Sequence, residues 1–132
     1  MKWAIAAMAL LLIGSIGATT GEKKVEWIAH RGESYIAPEN TMTSFNLGWK
    51  SGDDADETDI QLTKDGHVII CHDPDTKRTT NKKMVIKDSN FDDLRNLDAG
   101  SWKDPKYAGE KLPTLAEALT SIPEGRRTTA TT

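Results

Sequence analysis

Two short apolar runs in this chain each end directly at a histidine. Residues 25–29 (Val-Glu-Trp-Ile-Ala) precede His30, and residues 68–71 (Val-Ile-Ile-Cys) precede His72. Both runs are rich in β-prone residues, so they predict strands with a reactive side chain at the carboxyl end. In α/β folds such strand ends converge on one rim, where sites are built. The sequence therefore predicts an α/β architecture with its site at the C-terminal edge of a parallel sheet.

A further strand is predicted over residues 55–62. The turn signal Lys-Asp-Gly at 64–66 separates it from the run at 68–71, and this link is too short for a helix. Apolar residues at helical spacing predict a helix that is capped by Asn40 and stopped by Gly52. Two later helices are each headed by a capping box, namely Ser89 with Asp92 and Thr114 with Glu117.

The N-terminal segment is typical of an export signal. Lys2 provides a positive charge, and residues 3–16 are an uncharged apolar run of about 14 residues. A membrane-spanning helix needs roughly 20 apolar residues, so no stable membrane anchor is expected after cleavage near residue 18. We expect a signal peptide at 1–18, a domain at 19–127, an unstructured tail at 128–132, and a secreted or periplasmic protein.

The charge and cysteine content exclude some partners. The formal net charge is −3, so the chain lacks the basic surface of a nucleic-acid-binding protein. Cys71 is the only cysteine, and one thiol cannot close an intrachain disulfide. A small-molecule partner is the expectation.

Two carboxylates on the predicted central strand are candidate metal ligands. Glu57 and Asp59 are two residues apart and so share one face of a strand. Paired carboxylate oxygens suit a hard divalent cation such as Mg²⁺ or Ca²⁺. The alternative is a solvated strand face, because the neighbourhood is acidic throughout.

The two strand-end histidines are candidate proton-transfer groups, since imidazole can act as acid or base near neutral pH. Arg31 can place its planar guanidinium on a phosphate oxygen, although an exposed charge explains it equally well. Glu39 either binds metal or substrate or simply favours the positive end of the adjacent helix.

Six motifs occur in a characteristic order, and together they resemble the glycerophosphodiester phosphodiesterase family from about residue 25 to residue 127. They are His-Arg-Gly, Pro-Glu-Asn-Thr, Glu-Thr-Asp-Ile-Gln-Leu-Thr-Lys-Asp-Gly, His-Asp-Pro, Arg-Thr-Thr-Asn and Leu-Pro-Thr-Leu-Ala-Glu-Ala-Leu.

The resemblance implies a (β/α)₈ TIM barrel, of which this chain would hold the first three strands with their helices. It implies that His30 and His72 act as acid and base, that Glu57 and Asp59 bind a divalent metal, and that Arg31 contacts phosphate. In the family the substrate's glycerol hydroxyl attacks phosphorus, and water then opens the cyclic product to glycerol 3-phosphate.

The sequence departs from the family pattern after Pro-Glu-Gly at 123–125. Family members carry a third acidic ligand on the next barrel strand, whereas this chain continues with two arginines and a threonine-rich stretch. We therefore expect the chain by itself to lack later strands and to show little activity. The alternatives are a non-catalytic fragment of the family and a phospholipase D-like enzyme on the same barrel.

Overall fold

The computed structural model describes residues 25–132, so the predicted signal peptide lies outside the described residues. Three parallel strands form the sheet that carries the site: β1 (Ile28–His30), β2 (Ala55–Leu62) and β4 (Arg127–Thr131). β2 lies in the middle, with Ile28 paired to Ala55 on one side and Arg127 paired to Ala55 on the other. The carboxyl ends of the three strands therefore lie at one rim, as predicted for an α/β fold.

The strand β3 (Val68–Ile70) runs antiparallel to β2, which corrects the expectation that it continues the parallel sheet. Ile60 pairs with Ile70 and Leu62 with Val68, so β2 projects past its parallel neighbours and β3 returns along that projection. A tight turn can join only antiparallel neighbours, because a parallel pair needs a longer crossover. The return brings His72 back to the level of the rim.

The C-terminal stretch is a strand, so the expectations of an unstructured tail at 128–132 and of a missing next barrel strand are both wrong. β4 pairs with β2 over five consecutive positions, from Arg127 opposite Ala55 to Thr131 opposite Asp59. The threonines show no apolar alternation, but their β-branched side chains suit a strand, and β2 supplies partners for their backbone. β4 is therefore the third parallel strand.

The helix α1 (Met42–Ser51) follows β1 and ends at Gly52, as the sequence predicts. Its N-cap is Thr41 rather than Asn40: the Thr41 hydroxyl accepts from Ser44 N, and Ser44 reciprocates in a capping box. Asn40 has a left-handed backbone with φ of 57° and turns its side chain toward β2 instead. Asparagine tolerates this conformation better than most residues, which releases it from the capping role.

Two shorter helices complete the described fold, α2 (Phe91–Arg95) and α3 (Leu115–Thr120). The predicted Thr114–Glu117 capping box is present at α3. The Ser89 box at α2 is wrong, because the N-cap is Asn90 without a side-chain bond and the Asp65 carboxylate accepts from Phe91 N. Single-turn 3₁₀ segments lie at Ile86–Asp88 and Pro105–Tyr107.

Successive side chains of β3 point to opposite faces and pack into two different hydrophobic clusters. Ile70 packs with Phe45 of α1 and Ala118 of α3, beneath the sheet. Ile69 packs on the other face into a larger cluster that includes Leu94 and Leu112. Both isoleucines are fully buried. This packing anchors the β2–β3 hairpin and hence the position of His72.

Within residues 25–132, no helix has the length and apolar character needed to cross a membrane.

Candidate active site

The carboxyl ends of β1, β2 and β4 place four polar side chains side by side. Glu57 and Asp59 share one face of β2, as the sequence predicts, and the Thr131 hydroxyl lies 3.0 Å from Glu57 Oε1 and 3.2 Å from Asp59 Oδ1. His30 Nε2 lies 4.0 Å from Glu57 Oε2. Thr131 of β4 therefore contacts both carboxylates. The family resemblance implies a third acidic ligand on this strand.

Arg31 has a left-handed backbone with φ of 58°, an uncommon conformation for a residue with a side chain. Its N–H donates to Glu57 O, and its carbonyl accepts from Asn40 N and from the Ser44 hydroxyl. A Cβ at the following Gly32 would lie 2.7 Å from the Ser44 carbonyl carbon, so only glycine fits there. These contacts fix the direction in which the Arg31 side chain leaves the strand.

The Arg31 guanidinium lies between two carboxylates. Nη1 donates to Glu39 Oε1 at 3.0 Å, and Nε lies 3.2 Å from Asp59 Oδ2. No described residue accepts a hydrogen bond from Nη2. Nη2 can therefore donate to an anionic ligand.

Asn40 orients Asp59. Its amide nitrogen donates to Asp59 Oδ2 at 2.9 Å, and its amide oxygen accepts from the buried Thr58 hydroxyl at 3.1 Å. Because Thr58 fixes the amide orientation, the nitrogen must face the carboxylate. Asn40 thus holds Asp59 in place from the loop before α1.

His72 is held by its neighbour Asp73, whose Oδ1 lies 2.6 Å from His72 Nδ1. Hydrogen bonds from Arg78, together with the contact to His72, lower the pKa of Asp73 to about 2. Asp73 is therefore ionised at neutral pH and can only accept, so Nδ1 must carry the proton. Nε2 of neutral His72 then holds a free lone pair.

Glu39 accepts from two arginines. Arg78 binds it through Nη1 and Nη2, both at 2.8 Å, and Arg31 binds it at 3.0 Å. Burial alone would raise the pKa of Glu39, but the two guanidiniums outweigh that effect and hold the pKa below its ordinary value. Glu39 is an ionised bridge between the arginines, not a residue that merely favours a helix end.

The carboxylate pair has the donor atoms that a hard divalent cation requires. Glu57 Oε2 is buried without a hydrogen-bond donor, which is costly for a carboxylate unless a cation or water completes it. With Asp59 and Thr131 it forms an all-oxygen set, and Mg²⁺ is commonly held by one or two carboxylates plus waters and substrate phosphate. Within residues 25–132 no three His, Cys, Asp or Glu side chains gather as a metal site. The pair fits a metal that keeps much of its own water.

Sequence reasoning missed four residues at this site: Asn40 as an orienting group, Asp73, Arg78 and Thr131. Asp73 lies in the His-Asp-Pro motif and Arg78 in the Arg-Thr-Thr-Asn motif, and this was the sequence signal that could have identified them. Arg78 meets Glu39 across 39 residues of sequence, and Thr131 meets the carboxylates only because β4 pairs with β2.

A parallel sheet with α-helical crossovers and with histidines, carboxylates and an arginine at its C-terminal rim defines an α/β-barrel type of enzyme site. Residues 30–130 match the model of the glycerophosphoryl diester phosphodiesterase family, and the chain belongs to that family.

Several similar proteins agree with this family. A glycerophosphodiester phosphodiesterase from Caldanaerobacter subterraneus is 45% identical over 72% of this chain, and the match covers 39% of that relative. An Agrobacterium tumefaciens glycerophosphodiester phosphodiesterase structure superposes with a TM-score of 0.78 at 29% identity, covering 81% of this chain and 46% of that one. A phosphodiesterase from Oleispira antarctica, solved with its product sn-glycerol-3-phosphate, matches at 43% identity with a TM-score of 0.71, covering 73% and 39%. The chain thus spans about two fifths of the length of such relatives.

Proposed function

We propose that this rim hydrolyses glycerophosphodiesters to glycerol 3-phosphate and an alcohol by metal-assisted acid–base catalysis, as part of lipid metabolism. The observation that carries the proposal is the arrangement of His72, Arg31 and the carboxylate pair around one rim. Phosphodiester cleavage needs a group that takes a proton from the attacking oxygen and a group that protonates the leaving oxygen. Family membership and the product-bound Oleispira relative support this substrate class.

His72 suits the role of general base. Asp73 holds the proton on Nδ1, so Nε2 can accept the proton of the attacking hydroxyl. His30 is largely exposed, at 70% of its side chain, and has no hydrogen bond to a described residue. It is free to turn toward the leaving oxygen and protonate it as the general acid.

Arg31 suits the role of phosphate ligand. Its Nη1 donates to Glu39 and its Nε lies close to Asp59 without a hydrogen bond, so the guanidinium is held between two carboxylates and Nη2 can meet a non-bridging phosphate oxygen. A charge-assisted hydrogen bond of this kind is about twice as strong as a neutral one.

Glu57 and Asp59 would hold a divalent cation, Mg²⁺ or Ca²⁺. When bound, such a cation lowers the pKa of a coordinated hydroxyl and neutralises phosphate charge. The resemblance of the motifs around Glu57 and Asp59 to the family implies the same two ligands.

We also propose that the protein is exported to the periplasm or secreted, on the basis of the charged and apolar pattern of residues 1–18.

The proposed phosphate contact predicts that Arg31→Met weakens binding of sn-glycerol 3-phosphate. We expect a loss of about 10-fold to 100-fold in affinity, because hydrogen bonds to charged groups contribute about 1.5–3 kcal/mol. Isothermal titration calorimetry of the protein with this ligand measures the loss. Arg95→Met is the matched control, because Arg95 forms a comparable two-point pair with Glu117. Equal affinities for the two variants would remove Arg31 from the phosphate site.

The proposed metal site predicts that Glu57→Gln weakens Mg²⁺ or Ca²⁺ binding by about tenfold or more. The change removes a charged oxygen ligand and nearly preserves shape. Calorimetric titration of the metal alone measures the effect, with Glu124→Gln as an exposed control. Unchanged affinity would favour the solvated-strand interpretation of Glu57 and Asp59.

Adding a carboxylate, instead of removing one, provides a second test of the metal site. Thr131→Glu places a third carboxylate beside Glu57 and Asp59 and should tighten metal binding, whereas Ala130→Glu on the opposite face of β4 should not. Equal behaviour of the two variants would contradict a metal position between β2 and β4.

A further inference from the structure

Arg78 pairs with two carboxylates beside the site, and the proposed reaction assigns it no role. Its guanidinium binds two carboxylates at two points each. Nε and Nη2 donate to Asp73 at 2.9 Å and 3.0 Å, and Nη1 and Nη2 donate to Glu39, both at 2.8 Å. Four of its five N–H groups therefore donate to these two carboxylates, and the remaining N–H, on Nη1, has no acceptor among the described residues. Arg78 is thus held chiefly by protein carboxylates.

The two carboxylates that Arg78 holds each contact a residue of the proposed reaction. Glu39 Oε1 accepts from Arg31 Nη1, and Asp73 Oδ1 contacts His72 Nδ1. A continuous chain of alternating charges therefore runs from the proposed phosphate ligand to the proposed base. Glu39 lies in the loop after β1 and Asp73 follows β3, so Arg78 also fastens two separate segments of the rim together.

We propose that Arg78 is a positioning residue that sets the tautomer of His72 and the orientation of Arg31 through Asp73 and Glu39. The inference rests on the proposed function for its catalytic meaning. A rigid planar fork can satisfy both carboxylates at once, whereas a lysine ammonium is a point charge and cannot reproduce four directed contacts.

The expected structural consequence is specific to His72. With Arg78 present, ionised Asp73 fixes the proton on Nδ1. Without Arg78, Asp73 loses the two hydrogen bonds that it accepts from the guanidinium and is free to rotate away from the imidazole. His72 should then move toward the Nε2–H tautomer that an unrestrained histidine prefers, and Nε2 would no longer accept a proton.

The test is nitrogen-15 NMR of the His72 ring in the protein itself, at a pH well above the range in which histidine titrates. Wild type should show the Nδ1–H tautomer, and Arg78→Met a loss of that preference. Arg95→Met is the control, because it removes a two-point arginine–carboxylate pair that touches neither Glu39 nor Asp73. Arg78→Lys should give an intermediate result.

This readout needs no turnover, so it separates the inference from the proposed function. If Arg78→Met does not fold, Arg78→Gln removes the same charge and keeps a hydrogen-bond donor. Retention of the Nδ1–H tautomer in whichever neutral variant folds would overturn the inference. A tautomer change with no loss of phosphate-ester turnover in a completed barrel would leave Arg78 as the positioning group and refute His72 as the base.

Discussion

His72→Ala and His30→Ala are each expected to lower turnover of a glycerophosphodiester by about 10²–10⁴-fold, the range typical of general acid–base groups. Substrate affinity should change far less, because neither imidazole is proposed to bind the ground state strongly. The chain spans about two fifths of its relatives, so the assay uses a completed barrel. In that chimera residues 25–125 of this chain are followed by the remaining strands of the Caldanaerobacter relative.

The third histidine provides the matched control. His67 lies in the β2–β3 turn and stacks on the Phe91 ring with 4.8 Å between centroids, away from the rim. His67→Ala should therefore leave turnover nearly unchanged. Near-normal turnover in either rim variant would remove that histidine from the mechanism.

Asp56→Asn is expected to stabilise the protein by about 4 kcal/mol above pH 7 and to have little effect below pH 4. Asp56 is fully buried, and neither carboxylate oxygen has a hydrogen-bond partner among the described residues. Burial, reinforced by the charge of Asp53, raises the pKa of Asp56 from its ordinary value of 3.8 to about 7. Each tenfold change in proton affinity corresponds to about 1.4 kcal/mol.

The sign follows from which state binds the proton more tightly. Because the folded-state pKa lies above the unfolded one, Asp56 favours the fold at low pH, and that contribution is lost as the pH rises from about 4 to about 7. Urea unfolding of wild type and Asp56→Asn across this interval measures the difference. Asp88→Asn on the surface is the control. A difference that does not change with pH would show that Asp56 ionises normally.

Local signals in the sequence predicted much of the scaffold. The bounds of β2, the stop of α1 at Gly52 and the Thr114–Glu117 capping box all depend on neighbouring residues, and the structure contains each of them. The shared face of Glu57 and Asp59 follows from the strand repeat in the same way.

The features that were wrong or missed depend on distant partners. The threonine-rich segment has a β-branched composition that suits a strand but no apolar alternation, and β4 forms because β2 supplies hydrogen-bond partners for its backbone. The role of Asn40 depends on a left-handed backbone and on Asp59, 19 residues away. Arg78 can bind both Asp73 and Glu39 only because the β2–β3 hairpin brings these two residues together. Such contacts set the chemistry of the rim, and no local pattern specifies them.

The central claim is that this rim cuts glycerophosphodiesters with its two histidines. Its most direct test is release of glycerol 3-phosphate from glycerophosphocholine by the chimera, with added Mg²⁺ or Ca²⁺, followed by phosphorus-31 NMR. We predict steady release of glycerol 3-phosphate that is lost in both His30→Ala and His72→Ala and retained in His67→Ala. A folded, metal-loaded chimera that releases no glycerol 3-phosphate, or that releases it equally well without the rim histidines, would contradict the claim.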